Sequence, residues 1–381
     1  MCACVAAYGV YLGLPLILGA LADEYGFSNP QIGWIGAAEN AGMLVGSISV
    51  SLLGRWTSYR VLTAAGIAIA LAGNGITLSS TSFAAFCPVR LLTGIGSGLC
   101  YSAAIAALSL TRQSARNFSI FVVVLVIANS LELWLIPDVV AAWHTSGIYV
   151  VLGLLFVLPA VLIRYVPSRI ADAGAKGAAP AAGIGAPPIV SRDAALAGIC
   201  LLGVVLFCVA ASAFYAYAER IGLSVGMTET GISRTLTLCN LFSLTGSMLA
   251  YALGRRWGQH RPQLAAIVVM IGVYGLWSVS LSMPGYICGV LIFFEVWSMA
   301  SVYQLSTLTG IDPSGRYVAL IPAAQGIGQS AGPFLAGTFL EQQMTFPQML
   351  GGAASFAVGS LAAYTLVYLR LRQLDPVASR D

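Results

Sequence analysis

Charge is what this sequence has least of. Only 8% of its 381 residues are Asp, Glu, Lys or Arg, whereas soluble domains carry about a quarter. Lysine is almost missing: Lys176 stands alone, and every other basic residue is Arg. Histidine is reduced to His144 and His260. Such scarcity excludes a water-soluble globular domain. No run of Lys and Arg interleaved with aromatics suggests nucleic acid. No H-E-x-x-H or P-loop pattern occurs, and the two histidines fall in predicted loops on opposite sides. Neither an enzyme nor a cofactor is expected.

The eight cysteines are scattered, most of them inside apolar stretches where free Cys acts as a small hydrophobe. Cys2 and Cys4 have a spacing that suits a soft metal, but no His or further Cys stands nearby, so no metal is expected. Met1 leads straight into apolar sequence with no positive n-region and no Ala-x-Ala site, which argues against a cleaved signal peptide. The abrupt start suggests that a short cytoplasmic leader precedes it.

What the chain has in quantity is hydrophobic residues, 58% of the total, with a mean hydropathy of +0.87. A membrane span needs about 20 apolar residues. Between polar breaks there are twelve such stretches, near 2–22, 31–53, 61–79, 84–109, 118–142, 146–165, 194–218, 229–253, 263–282, 284–309, 317–341 and 346–369. With the first residue inside, alternation places every Arg and Lys on the cytoplasmic side except Arg90, Arg220 and Arg234. The positive-inside rule therefore predicts both termini in the cytoplasm of a cell (inner) membrane protein.

Part of the chain is written twice, 200 positions apart. Asn40, Leu44, Gly46, Ser47, Leu53, Gly54 and Arg55 recur as Asn240, Leu244, Gly246, Ser247, Leu253, Gly254 and Arg255. The same offset pairs Arg116 with Arg316, Asn129 with Gln329 and Ser130 with Ser330. The repeat predicts two pseudo-symmetric six-helix bundles, residues 1–166 and 194–372. An Ala/Gly/Pro-rich linker at 167–193 joins them, and 373–381 forms a short tail. The fold expected is an all-α membrane protein.

Three stretches carry a family resemblance. Ser51 to Arg60 keeps Arg55 and Arg60 of a G-x-x-x-D-R-x-G-R-R loop, with Gly54 in place of the Asp. Its second copy runs from Gly254 through Arg255 and Arg256 to Arg261. Arg90, Gly94 and Gly96 fit an R-x-x-x-G-x-G helix. The chain thus resembles the major facilitator superfamily of secondary transporters over essentially its whole length. The resemblance implies alternating access about a central site, with Arg55, Arg60, Arg255 and Arg256 in cytoplasmic gating loops. It also associates Arg90 with proton coupling or a substrate anion. The glycine-and-proline motif of proton-driven drug antiporters is missing from the fifth stretch, which reads Asn129-Ser130-Leu131-Glu132.

Ionisable residues at bilayer depth are costly and mark function by default. Glu39 and Glu132 face Cys239 and Gly332 in the other copy, so shared architecture does not explain them. Glu39 either bridges helices or carries a proton. Arg90 keeps its charge and needs an anion, whether Glu39, Glu132 or a substrate carboxylate. Glu295, inside Leu291 to Trp297, ranks with Glu39. Glu39, Arg90, Glu132 and Glu295 are the proton-coupling candidates. Arg90, Tyr101, Asn129, Tyr215, Glu219, Gln325 and Gln329 are the substrate-binding ones. Glu219 beside Arg220 also reads as a surface pair, and the aromatics also read as an interfacial belt. The expected partners are protons, a small polar or anionic organic solute and lipid, with the chain working as a monomer. Proton symport is the first reading. Proton-coupled efflux is the alternative, and a transport-silent receptor or scaffold is a third possibility of another class.

Overall fold

The computed structural model describes residues 1–54, 56–109, 114–166, 194–312 and 317–374. Arg55, the 167–193 linker and most of the tail lie outside the described residues. The helices are α1 (Cys2–Leu12), α2 (Leu14–Tyr25), α3 (Asn29–Leu53), α4 (Tyr59–Thr77), α5 (Phe83–Ser109), α6 (Ser114–Leu155) and α7 (Val157–Val161). After the linker come α8 (Ala194–Ser224), α9 (Glu229–Trp257), α10 (His260–Val279), α11 (Met283–Ile311), α12 (Ile321–Glu341) and α13 (Phe346–Leu374). No strand occurs among the described residues. Each of the twelve apolar stretches is helical.

Nine of the described helices are long and apolar enough to cross a membrane, and α1 with α2 make a tenth, bent by 50°. The bend has a local cause. Pro15 has no N–H to offer the carbonyl of Tyr11, and the N–H of Leu16 turns back to Gly13 at 3.1 Å. The carbonyl of Leu12 is thereby freed. The long α6 is also two limbs: the backbone leaves helical geometry at Trp143 and His144, where φ is 56°.

Ser and Thr set where spans begin. Ser28 and Gln31 form a capping box at α3, and Ser58, Thr228 and Ser282 accept the first N–H groups of α4, α9 and α11. Such caps satisfy donors that would otherwise be orphaned. The turns at 26–28 and 225–228 mark one end of the molecule, here the distal end; the termini mark the other.

In lipid the drive for helices to associate is close packing, so small residues line the contacts. Gly42 and Gly46 on α3 face Gly94 and Gly98 on α5. A Cβ on Gly46 would strike the carbonyl of Ile95, and one on Gly98 that of Met43. Gly96 turns to the other side of α5, where a Cβ would lie 2.6 Å from the Ala70 nitrogen on α4. One helix thus packs on two neighbours through alternating glycines.

The 200-residue offset extends into contacts. Gly246 meets Glu295 as Gly46 meets Ile95. Ser247 bonds Ser298 at 2.6 Å, and Ser47 reaches the carbonyl of Gly98 at 3.5 Å. The helices before the linker meet those after it along a seam, where α3 packs on α12, α6 on α9 and α2 on α8.

Candidate functional site

Two polar groups stand out in this apolar body. The first is enclosed among α3, α4, α5 and the second limb of α6. Arg90 is 1% exposed. Its Nη1 lies 3.4 Å from Glu39 Oε1. Its Nη2 donates to Asn74 Oδ1 at 3.1 Å, to Thr93 Oγ1 at 3.0 Å, to the Gly73 carbonyl at 3.2 Å and to Thr77 Oγ1. The guanidinium also sits 4.7 Å from the centre of the Tyr149 ring. A buried guanidinium needs this many partners to offset its lost hydration. Of the three anions open to Arg90 in the sequence, Glu39 is the one it meets. Enclosed in this way, Arg90 turns its guanidinium to Glu39, α4 and Tyr149.

The counterpart positions in the second half are Cys239, Tyr274, Trp277, Val290 and Phe293. There an aromatic stack replaces the ion pair: Phe214 lies 4.7 Å from both Trp277 and Phe293. The site is thus confined to one copy of a repeated scaffold.

The second group lines the seam. Glu132 rests against the break in the first span. A Cβ on Gly13 would fall 2.6 Å from its Oε1, and one on Gly9 3.7 Å from its Oε2. Oε1 is buried with no hydrogen-bond partner, as are the Tyr11 hydroxyl and Asn129 Oδ1. The carbonyl freed at Leu12 is taken by the Tyr215 hydroxyl at 2.6 Å. Tyr8 stacks on Tyr101 at 5.1 Å and lies 5.0 Å from Tyr11. Tyr215 faces Trp297 at 5.5 Å. Gln329 lies beside the Tyr8 and Tyr11 hydroxyls, and half-buried Gln325 stands one turn before it on α12. Asn129 donates to Asn240 Oδ1 at 3.0 Å, and Asn240 donates to Ser130 Oγ at 2.9 Å.

The distal end of the seam is closed. Arg220 pairs with Asp23 at 2.8 Å and with Glu219 at 3.1 Å, and donates to the Gly19 carbonyl. Tyr217 donates to the Asn29 carbonyl at 2.7 Å, and Arg234 lies 5.5 Å over Trp134. Glu219 is 3% exposed, so the surface pair read from the sequence is a buried one. It belongs to this closure, a position set apart from the tyrosine-lined group. A pocket of about 250 Å³ above it is lined by Asp23, Glu24, His144, Glu219 and Glu229 among others.

The remaining predicted residues sit elsewhere. Glu295 accepts from Thr245 at 2.6 Å where α11 crosses α9, beside exposed Leu291 and Ile292 and apart from both groups. Arg60 donates to the carbonyls of Arg164 and Val166, tying α4 to the end of the sixth span. Arg255 lies over Tyr251 of its own helix and Arg256 is exposed. None of these three makes a described contact across the seam. Sequence reasoning missed Tyr8, Tyr11, Asn74, Thr77, Thr93 and Tyr149. A Tyr8-x-x-Tyr11 spacing just before Gly13-x-Pro15 was the available signal for the first two. Two G-x-S-x-G spellings, Gly222–Gly226 and Gly328–Gly332, carry no nucleophile: Ser224 and Ser330 donate to carbonyls of their own helices.

Long apolar helices packed around a polar seam define an integral membrane protein of the all-α class. The sequence profile of the Major Facilitator Superfamily matches residues 1–333, and the chain belongs to that family. No curated protein matches the sequence. Solved structures of similar fold include a bacterial homologue of the human lysosomal transporter Spinster, inward-facing and occupied. Its TM-score is 0.74 at 13% identity, covering 96% of this chain and 94% of that one. The nucleoside transporter NupG scores 0.74 at 12% identity, over 96% and 97%. A D-xylose–proton symporter scores 0.71 at 13% identity, over 96% of each. The chain is thus a secondary transporter rather than an enzyme.

Proposed function

We propose that this protein is a proton-coupled symporter that carries a small polar organic solute across the cell membrane as a monomer. Its two bundles, 1–166 and 194–372, rock about the seam, with both termini and the linker in the cytoplasm. The carrying observation is the position of the polar contacts between the halves. Those described lie between the level of Asn40 and Val126 and the distal end. That pattern suits a state closed outside and open toward the cytoplasm. The Glu39–Arg90 pair is walled off from the seam, so a proton on Glu39 and a solute in the seam can be held together, as symport requires. The anionic alternative for the solute rested on Arg90, and the enclosure of that side chain removes its support.

Reconstitution tests this reading. Proteoliposomes with an imposed pH gradient, screened against organic acids, amines, sugars and dyes, should accumulate at least one solute with proton entry read by an internal dye. Proton exit during uptake would favour efflux, and no movement of any solute would favour a receptor or scaffold. A cysteine placed in the 167–193 linker of a version stripped of native Cys should resist an impermeant reagent applied outside whole cells.

A further inference from the structure

We propose that the seam takes a solute bearing a protonated amine, held by the Glu132 carboxylate among tyrosines. The assignment rests on the seam being the solute site. Glu132 is the starting point because it has no cation. The described ion pairs use Glu39, Asp23 and Glu219. An anionic solute beside Glu132 would meet a like charge, and the arginines of the described ion pairs are both engaged elsewhere.

The unpartnered atoms have the matching chemistry. Glu132 Oε1 and Asn129 Oδ1 are buried acceptors without a donor, and the Tyr11 hydroxyl, which can accept as well as donate, lies unpartnered near them. All three residues border Tyr215, whose ring lies 6.0 Å from that of Tyr11. An ammonium group offers three N–H donors and no acceptor, so it complements such a set. Leaving the three unfilled is costly, and filling them is worth most when the ligand is charged.

The walls agree with the acceptors. Tyrosine faces attract cations when one approaches within about 6 Å of the ring centre. Tyr8, Tyr11, Tyr101 and Tyr215 present four such rings. Gly9 and Gly13 bring only hydrogen toward Glu132, which lets the carboxylate pack against the break in the first span without a side chain between them. In the pocket beyond the distal closure, Glu24 and Glu229 stand beside Asp23 and Glu219, which Arg220 already pairs.

The test compares skeletons that differ only in charge. Purified full-length protein in detergent is titrated with tyramine, tyrosol and 4-hydroxyphenylacetate, and with putrescine, 1,4-butanediol and succinate, reading thermal stabilisation. At least one amine should stabilise the parent at lower concentration than the alcohol or acid of its own skeleton. Glu132→Gln keeps the shape of the side chain and should weaken that amine at least about tenfold, the loss expected for one charged hydrogen bond. Tyr11→Phe should weaken it less. The assignment is overturned if no amine outperforms its matched acid, or if Glu132→Gln binds the amine as the parent does. Should Glu132→Gln fail to fold, Asn129→Leu with Tyr11→Phe must produce the loss instead. A parent that prefers acids yet drives solute uptake in liposomes sinks the amine assignment and spares the transport reading. One that binds amines through Glu132 yet moves nothing does the reverse.

Discussion

Asn40 reaches across the seam and donates to the carbonyl of Gln329, 3.0 Å away. Adding 200 to the first number and subtracting it from the second gives Asn240 and Asn129, which are also bonded, at 3.0 Å. The same exchange relates Gly33, whose Cβ would lie 2.6 Å from the Pro333 carbonyl, to Ser233, which donates to the Leu133 carbonyl at 2.6 Å. Seam contacts repeated in this crossed fashion are what a two-fold axis between two copies produces. They support rocking of two equivalent halves.

The two asparagines are unequal in number of bonds, and this gives the first prediction. Asn240 also donates to Ser130 Oγ and the Val126 carbonyl, whereas Asn40 has its one bond. Polar contacts between membrane helices average about 0.6 kcal/mol, with a maximum near 1.7. Asn240→Ala should therefore lower stability more than Asn40→Ala in denaturant titrations. The cycle of Asn129→Ala with Asn240→Ala should show a coupling of about that size. Equal losses, or strict additivity, would contradict the network.

Close helix contact supplies the second. Gly46→Val forces a side chain into the backbone of α5 at Ile95, and overpacking costs roughly 1–3 kcal/mol where neighbours can yield. Backbone cannot, so a larger loss of folded yield is expected. Gly75 has nothing within 4 Å of a built Cβ, and Gly75→Ala should be neutral or stabilise by up to about 1 kcal/mol. Size-exclusion profiles of both variants decide this; matching profiles would mean the α3–α5 contact is looser than described.

Spans and the repeat were legible because lipid demands length and apolarity, and because a duplicated chain shows itself without any structure. Depth put Glu39 among three anions open to Arg90, and the structure pairs the two. Depth could not separate Glu39 from Glu295, since both lie in apolar helices. Only helix rotation shows that one meets a guanidinium and the other a Thr245 hydroxyl. The break at Gly13 escaped notice although Pro15 caused it, because the apolar run continues through it unbroken. Tyr8 and Tyr11 escaped for the same reason: inside such a run a tyrosine reads as one more hydrophobe.

The distal closure gives the third prediction. Arg220 joins α8 to α2 through Asp23 and the Gly19 carbonyl. Arg220→Ala removes those links together with its pairing to Glu219. A loss of one or two kcal/mol shifts an equilibrium by a factor of about 5–30. A cysteine at Ala20, which lines the distal pocket, should then react faster with an impermeant thiol reagent applied outside, by up to that factor, in a protein otherwise free of Cys. An unchanged rate would show that the closure does not depend on Arg220.

Coupling gives the last. In the proposed scheme Glu39 takes a proton and gives it up while Arg90 stays charged in its cage of Asn74, Thr77 and Thr93. Glu39→Gln is nearly isosteric and still accepts from Arg90, so the fold should survive. Uphill uptake driven by a pH gradient should be lost, while exchange of solute at equal pH continues. Arg90→Ala is a different lesion, because it strands a buried carboxylate and three polar partners; losing one member of a buried pair costs about 3–5 kcal/mol. Arg90→Lys should not repair it, since an ammonium cannot reach Glu39 on one side and the α4 hydroxyl and amide on the other with a planar fork. Combining Glu39→Gln with Arg90→Met should recover stability that Arg90→Ala loses, because no charge is then left buried, yet it should remain uncoupled. Liposome uptake and exchange, measured beside thermal unfolding for each variant, separate the two effects. If Glu39→Gln concentrates solute as well as the parent, the pair is a structural clamp and the proton travels elsewhere.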